Sequence, residues 1–329
     1  MSAAQQDLLQ TIDRVCVDRC TKAVREAAEA GTWPADLWNA LDEVGVVRAA
    51  LPESAGGVGI AFEEAMLVLR RTAYHALPVP LAETMVAGRL LVAAGLQVPD
   101  GALTVALTGP GLAMRVPWGG QTGHVVVVSE DEVGFVVGAK ATAVEKNLAG
   151  EPRATMKLDD VTFVEKAPLP GALDRAMAEG ALARSVQMAG ALERTLAYSL
   201  QYAGERVQFG RPIGKFQAVQ HLLAVLAAQV AAASAAADAA VEASAEKPDA
   251  FAVAVAKSRV GEAAGRGAEI AHQVHGAMGF TREHSLHYST RRLWAWRDEF
   301  GNETHWQSRL GREIAAKGAD ALWPLLTAL

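Results

Sequence analysis

A three-part fold is predicted for this chain: helical at the amino end, a small antiparallel sheet in the middle, and a four-helix bundle at the carboxyl end. Three observations carry it. Apolar residues recur at helical spacing up to about residue 94, the pattern turns to short Val- and Thr-rich runs between Leu103 and Glu165, and helical spacing returns from Leu173 onward. The corresponding regions are 1–100, 101–168 and 169–329.

In the first region Leu8, Leu9, Ile12, Val15, Ala23 and Ala27 line one face of a single helix expected over 4–30, which Gly31 and Pro34 end. A short helix expected over 36–44 stops at Gly45. Further helices are expected over 62–73 and 82–94, after a glycine-rich loop that runs from Leu51 to Gly59 and contains Gly56 and Gly57. That loop has neither a lysine nor the residue order of a phosphate-binding P-loop. In the middle region strands are expected over 104–108, 124–129, 133–137, 155–158 and 161–164, each bounded by Gly, Pro or charged residues. The last region predicts helices over 173–206, 214–245, 249–276 and 303–317, with Asp249 and Asn302 placed as N-caps.

A chain of 329 residues can bury a substantial core in two or three domains. The formal net charge of -6 offers no basic stripe for nucleic acid, so an anionic ligand must be met by local groups. Cys16 and Cys20, four apart on a helix, lack the further Cys or His that zinc needs and are read as reduced side chains. His272 and His275 have no third ligand at a useful spacing, which argues for a packing or capping role. The stretch 216–237 contains no Asp, Glu, Lys or Arg, but its Gln217, Gln220, His221, Gln229 and Ser234 predict a buried helix of a soluble bundle rather than a membrane span. With no signal-peptide pattern at the amino end, a cytoplasmic protein is expected.

The chain is organised around Tyr202 to Gln220, where two long helical patterns meet at a turn marked by Gly210, Pro212 and Gly214. Arg206, Gln208, Lys215 and Gln217 surround that turn with donors, which suits either a ligand or a solvated corner. The run Arg206, Gln208, Phe209, Gly210, Phe216, Gln217 resembles the R-x-x-F-G-x-x-I-x-x-F-Q segment of the acyl-CoA dehydrogenase family. Gln273, Gly276, Gly279, Phe280, Thr281, Glu283 and His284, followed by Arg291 and Arg292, are similar to a second family segment in the family's order and spacing. Trp38, Leu41, Gly45, Pro52, Glu53, Gly56, Gly57 and Gly59 match a third, in the amino-terminal helical domain.

The resemblance implies an acyl-CoA dehydrogenase-like fold and FAD as cofactor. Arg206, Phe209 and Gln217 would reach FAD held mainly by another subunit, with Gln273, Gly276, Ala277 and Gly279 nearby; a packing role for each glycine stays open. It also implies an acyl-CoA thioester substrate, in lipid or steroid catabolism, and an electron-transferring flavoprotein as electron acceptor. Two departures qualify this. The T-E and G-S-D elements of the family's sheet are missing from the segment running from Leu107 to Gly119, leaving Trp118 as either a ring neighbour or a core residue. The family's catalytic glutamate position falls on Phe300, and the alternative position on the first bundle helix falls on Gly180. Phenylalanine cannot accept the proton, so Glu303, Glu299 and Glu179 remain as candidate bases beside the reading that this chain supplies none. The missing pieces suggest a mixed assembly, a heterotetramer with a second acyl-CoA dehydrogenase-like chain. A non-catalytic partner role and a flavin-dependent oxidase or monooxygenase on the same scaffold are the alternatives.

Overall fold

A computed structural model describes residues 3–107, 112–158 and 161–327. The amino-terminal region is helical: α1 (Ala3–Arg19), α2 (Lys22–Ala30), α3 (Ala35–Glu43), α4 (Phe62–Tyr74) and α5 (Leu81–Ala93). The single helix expected over 4–30 is two. Thr21 sits in extended backbone as the N-cap of α2, its Oγ1 accepting from Val24 N at 3.3 Å, while Arg25 takes up the Cys20 carbonyl at 2.7 Å. Local capping thus overrides an apolar stripe that runs through the break.

The middle region forms two small sheets rather than one. Strands β1 (Leu103–Leu107), β3 (His124–Val128), β4 (Glu132–Val137) and β7 (Phe163–Pro168) make the first, in the order β1-β3-β4-β7. Strands β2 (Leu112–Pro117), β6 (Pro152–Lys157) and β5 (Ala141–Lys146) make the second. The purely antiparallel expectation fails at one pair, because β1 and β3 run parallel. The intervening β2 crosses to the other sheet before the chain returns. Residues 108–111, which carry the end of one expected strand and part of the altered family segment, lie outside the described residues, as do 159 and 160.

Side-chain alternation gives the first sheet two buried faces. Val125, Val127 and Val136 meet Ala113, Ala154 and Met156 of the second sheet, while Val126, Val128, Val133 and Phe135 join the main core. That core runs without interruption from α1 and α4 through this face into the first bundle helix.

The carboxyl-terminal bundle contains α6 (Ala172–Glu205), α7 (Gln217–Ala243), α8 (Ala250–His275) and α10 (Glu303–Lys317), with α9 (Leu286–Asp298) against α6 and α8. Asp249 and Asn302 cap α8 and α10 as their side-chain chemistry requires. Helix α9 gave no apolar stripe because it turns Ser289, Thr290 and Arg292 inward. Helix α7 is long and apolar enough, by length and composition, to cross a membrane, yet only 22% of its most apolar window is buried. The expectation of a buried helix is corrected: α7 packs on α6 and α8 along Leu226, Val230, Ala233, Ala237 and Ala240, and leaves most of its other alanines exposed.

Candidate functional site

Two regions contain the residues singled out by sequence, and they differ in kind. The first is an exposed arm. Helix α6 ends at Glu205, Arg206 turns into extended backbone, and the chain then makes a hairpin of β8 (Val207–Gln208) and β9 (Arg211–Pro212). Its central residues, Phe209 and Gly210, both have positive φ, at 50° and 76°, the pattern of a tight type I′ turn. Holding a phenylalanine there costs about 1–2 kcal/mol. The ring gains little burial in return, since Phe209 is 93% exposed and only meets Phe216 edge-on at 6.1 Å. This strained, projecting aromatic is flanked by the exposed Arg206, Gln208 and Gln217, so the corner leaves a ring and several donors open to solvent.

The second family-like segment starts where α8 ends. Gly276 has φ 57° and ψ -139°, a conformation confined to glycine, and nothing in the chain stands where a Cβ would project. Gln273 and Ala277 are exposed. Gly279 is different, because a Cβ there would come within 3.0 Å of His275 Cβ and 3.2 Å of His272 Nδ1, so its role inside the chain is packing. Histidines join this segment to the arm. His275 stacks on Tyr202, in the last turn of α6, at 4.6 Å and meets His284 at the same separation. Its Nδ1 donates to the Ala271 carbonyl at 2.8 Å, and burial pushes its pKa down to about 4. His272 bonds Thr290 at 3.0 Å between Phe280 and Trp294. Among the described residues no cluster suited to a metal ion exists.

The second region is a sealed interior. Glu299, at the C-cap of α9, accepts from Arg153 Nε at 3.0 Å and Arg184 Nε at 2.9 Å, with Asn147 adding a donor at 3.2 Å. Burial alone would raise its pKa, but the two guanidiniums and their hydrogen bonds outweigh it and hold the carboxyl at about 2. Arg184 also pairs with Glu83, Arg153 with Glu151, and Arg292 with Glu151, so three glutamates and three arginines balance within the core. Glu179 is 2% exposed and paired with Arg89 at 2.9 Å and Arg175 at 3.7 Å. Glu303 lies in the first turn of α10 and pairs with Arg297 at 2.6 Å, its Oε1 filling the space beside Gly261. Each of the three candidate bases therefore faces a cation, and the structure does not bring them to one place.

Phe300 and Gly180, the two positions where the family pattern would have put a carboxylate, are packed on each other. A Cβ at Gly180 would stand 2.2 Å from the Phe300 ring. The cavity between them, lined also by Ala82, Val86, Val105 and Ala183, amounts to about 10 Å³, roughly the room for a single water. Phe300 has φ 54° and is clamped there: Trp306 Nε1 donates to its carbonyl at 2.9 Å, and Lys257 Nζ donates to the Arg297 and Gly301 carbonyls at 2.7 Å. Lys257 is 1% exposed, and burial lowers its pKa to about 8. Sequence reasoning missed this lysine and the arginine-glutamate network, since a lone charge in an apolar helix pattern has no signature of its partner.

These residues fit FAD only in part. Exposed donors and a projecting ring suit phosphates and a flat ring presented from outside the chain. Among the described residues the chain's own sheet offers no matching cradle: Trp118 is 3% exposed, a core residue, and a Cβ on Gly119 would meet Ala154 at 2.8 Å.

Models of the acyl-CoA dehydrogenase N-terminal and C-terminal domains match residues 2–97 and 171–298. The chain is 32% identical over 301 residues to acyl-CoA dehydrogenase IpdE2 of Mycobacterium tuberculosis, covering 88% of this chain and 90% of that one. It belongs to the acyl-CoA dehydrogenase family. A second relative, acyl-CoA dehydrogenase FadE27 of the same organism, is 29% identical across 95% of this chain and 97% of its own. Among solved structures, the ChsE4-ChsE5 complex from Mycobacterium tuberculosis superposes with a TM-score of 0.85 at 25% identity, over 96% of this chain and 98% of that one. The Tcur3481-Tcur3483 steroid ACAD does so at 0.84 and 26%, over 96% and 99%. The helical, sheet, helical order is thus the acyl-CoA dehydrogenase order.

Proposed function

We propose that this chain is one of two unlike chains of an FAD-dependent acyl-CoA dehydrogenase that introduces an alpha,beta double bond into an acyl-CoA thioester. The carrying observation is the Phe300 ring seated on Gly180, which fills the place a proton-accepting carboxylate would need, while the arm residues stay exposed. In this reading Arg206, Phe209 and Gln217, with Gln273, Gly276 and Ala277, close over FAD held by the sheet of the partner chain. FAD supplies the hydride acceptor at the beta carbon. This chain's residues bind and orient: the Arg206 fork holds a phosphate, and Phe209 covers a ring and excludes water. Removal of the alpha proton falls to a carboxylate of the partner, and reducing equivalents pass to an electron-transferring flavoprotein. Glu303, Glu299 and Glu179 are the candidates should the base lie in this chain, but each is held by arginine. The mixed assemblies among similar structures, ChsE4-ChsE5 and Tcur3481-Tcur3483, support the two-chain reading and a steroid-derived acyl group.

The test is purification of this chain alone and with a candidate partner chain, followed by flavin quantitation and anaerobic titration with acyl-CoA thioesters. FAD is expected to be retained, and bleached by substrate, only in the mixed assembly. A fully loaded, substrate-reducible homomer would overturn the composition. Rapid reoxidation of the reduced flavin by oxygen would move the function to the oxidase class.

A further inference from the structure

A second cavity, of about 230 Å³, lies on the far side of Tyr198 from the His275–His284 cluster, where the break between α1 and α2 meets the end of α4, the later turns of α6 and the start of α9. Its walls carry Arg25, Arg194, Tyr74, Tyr198, Tyr288 and Ser289, and no carboxylate lines it. The larger cavity between α1, α4 and α7 is the opposite, lined by Glu63, Glu193, Asp238 and Glu242 beside its arginines.

Half-buried guanidiniums are ordinarily matched by an acid, since an uncompensated charge taken from water is costly. Among the described residues neither Arg25 nor Arg194 has a carboxylate partner. Arg25 instead lies over the Tyr288 ring at 5.0 Å and donates through Nη1 to the carbonyls of Cys20 at 2.7 Å and His75 at 3.3 Å, while its Nε is buried with no acceptor. Arg194 lies over the rings of Tyr198 and Tyr74, at 4.1 and 4.8 Å, and donates to the Tyr74 hydroxyl at 3.1 Å. Asp13, behind His75, is already taken by Arg71 at 2.7 Å and by His75 at 2.8 Å. The backbone is bent to suit: Ala76 has φ 53°, a left-handed conformation for a residue with a Cβ, at the turn that offers the His75 carbonyl to Arg25.

The geometry points to a binding site for a small anion, a carboxylate or phosphate group gripped between Arg25 and Arg194 with the hydroxyls of Tyr198 and Ser289 close by. Guanidinium forks held over aromatic rings are restricted in orientation and suit the paired oxygens that both groups present. The volume suits a phosphate or a short dicarboxylate and is too small for a nucleotide.

The full chain, alone and in its assembly, is titrated with inorganic phosphate and with malonate at constant ionic strength. Binding is read as a saturable rise in the thermal midpoint and as a saturable heat of titration. Arg194→Gln and Arg25→Gln are each expected to weaken binding by about tenfold or more. Arg194→Lys keeps the charge and the stem packing yet loses the fork, so it is expected to weaken binding while leaving the fold intact. Arg115→Gln, at an exposed position of β2, should bind as the parent does. A response to phosphate alone assigns a phosphate-bearing ligand, and a response to malonate alone a carboxylate. No saturable effect of either anion, or undiminished binding in all three variants of Arg25 and Arg194, would overturn the site.

Discussion

The hairpin arm and the sealed interior use the same residue types to opposite ends. In the arm Arg206 and Phe209 face solvent, one of them in strained backbone. In the interior Arg184 and Phe300 are locked among Glu83, Glu299 and Gly180. Burial decides what each can do. A guanidinium already satisfied by two carboxylates holds elements together, whereas one with open donors can receive a ligand. The lesson is that a functional motif in this chain is recognised by what it leaves unpaired.

The largest expected effect lies in the interior. Arg184→Ala leaves Glu83 buried without its cation and Glu299 with Arg153 alone, and should cost about 3–5 kcal/mol, read as a lower urea midpoint. Arg206→Ala, by contrast, should change stability by less than about 0.5 kcal/mol while reducing FAD retention in the mixed assembly. Equal effects at the two arginines would erase the distinction between the regions. Gly180→Ala sharpens it further: the added Cβ meets the Phe300 ring, and overpacking should cost about 1–3 kcal/mol with no effect on flavin content.

Acid should separate the regions as well. His275 has a folded pKa near 4, below its ordinary 6.5, so the unfolded chain binds the proton first and the stability that the neutral ring provides is lost as pH falls from 6.5 to 4. Glu299 is depressed from 4.5 to about 2, so its contribution is present above 4.5 and lost between 4.5 and 2. Hydrogen exchange around 272–287 should therefore rise in the upper window, before global unfolding in the lower one. His275→Gln should shrink the first phase, to which the likewise depressed His272, His284 and His287 contribute, and leave the second, and a single shared transition would count against the separation. Among the interior pairs the smallest effect is expected for Glu303→Gln, which weakens the partly exposed pair with Arg297 and should cost about 1 kcal/mol or less. Substrate-driven flavin reduction should survive it, and abolished reduction would return the base to this chain.

Periodicity and turn chemistry were enough to read, from residues alone, the helical, sheet, helical order, the caps at Asp249 and Asn302, and the turn at Gly210. These are local properties, in which each signal lies within a few residues of its effect. The crossing of β2 to a second sheet, the inward polar face of α9, the Lys257 clamp and the Phe300-Gly180 contact were decided by tertiary structure. Each pairs residues far apart in the chain, and a buried charge or a ring against a glycine carries no mark in sequence of the partner that makes it stable.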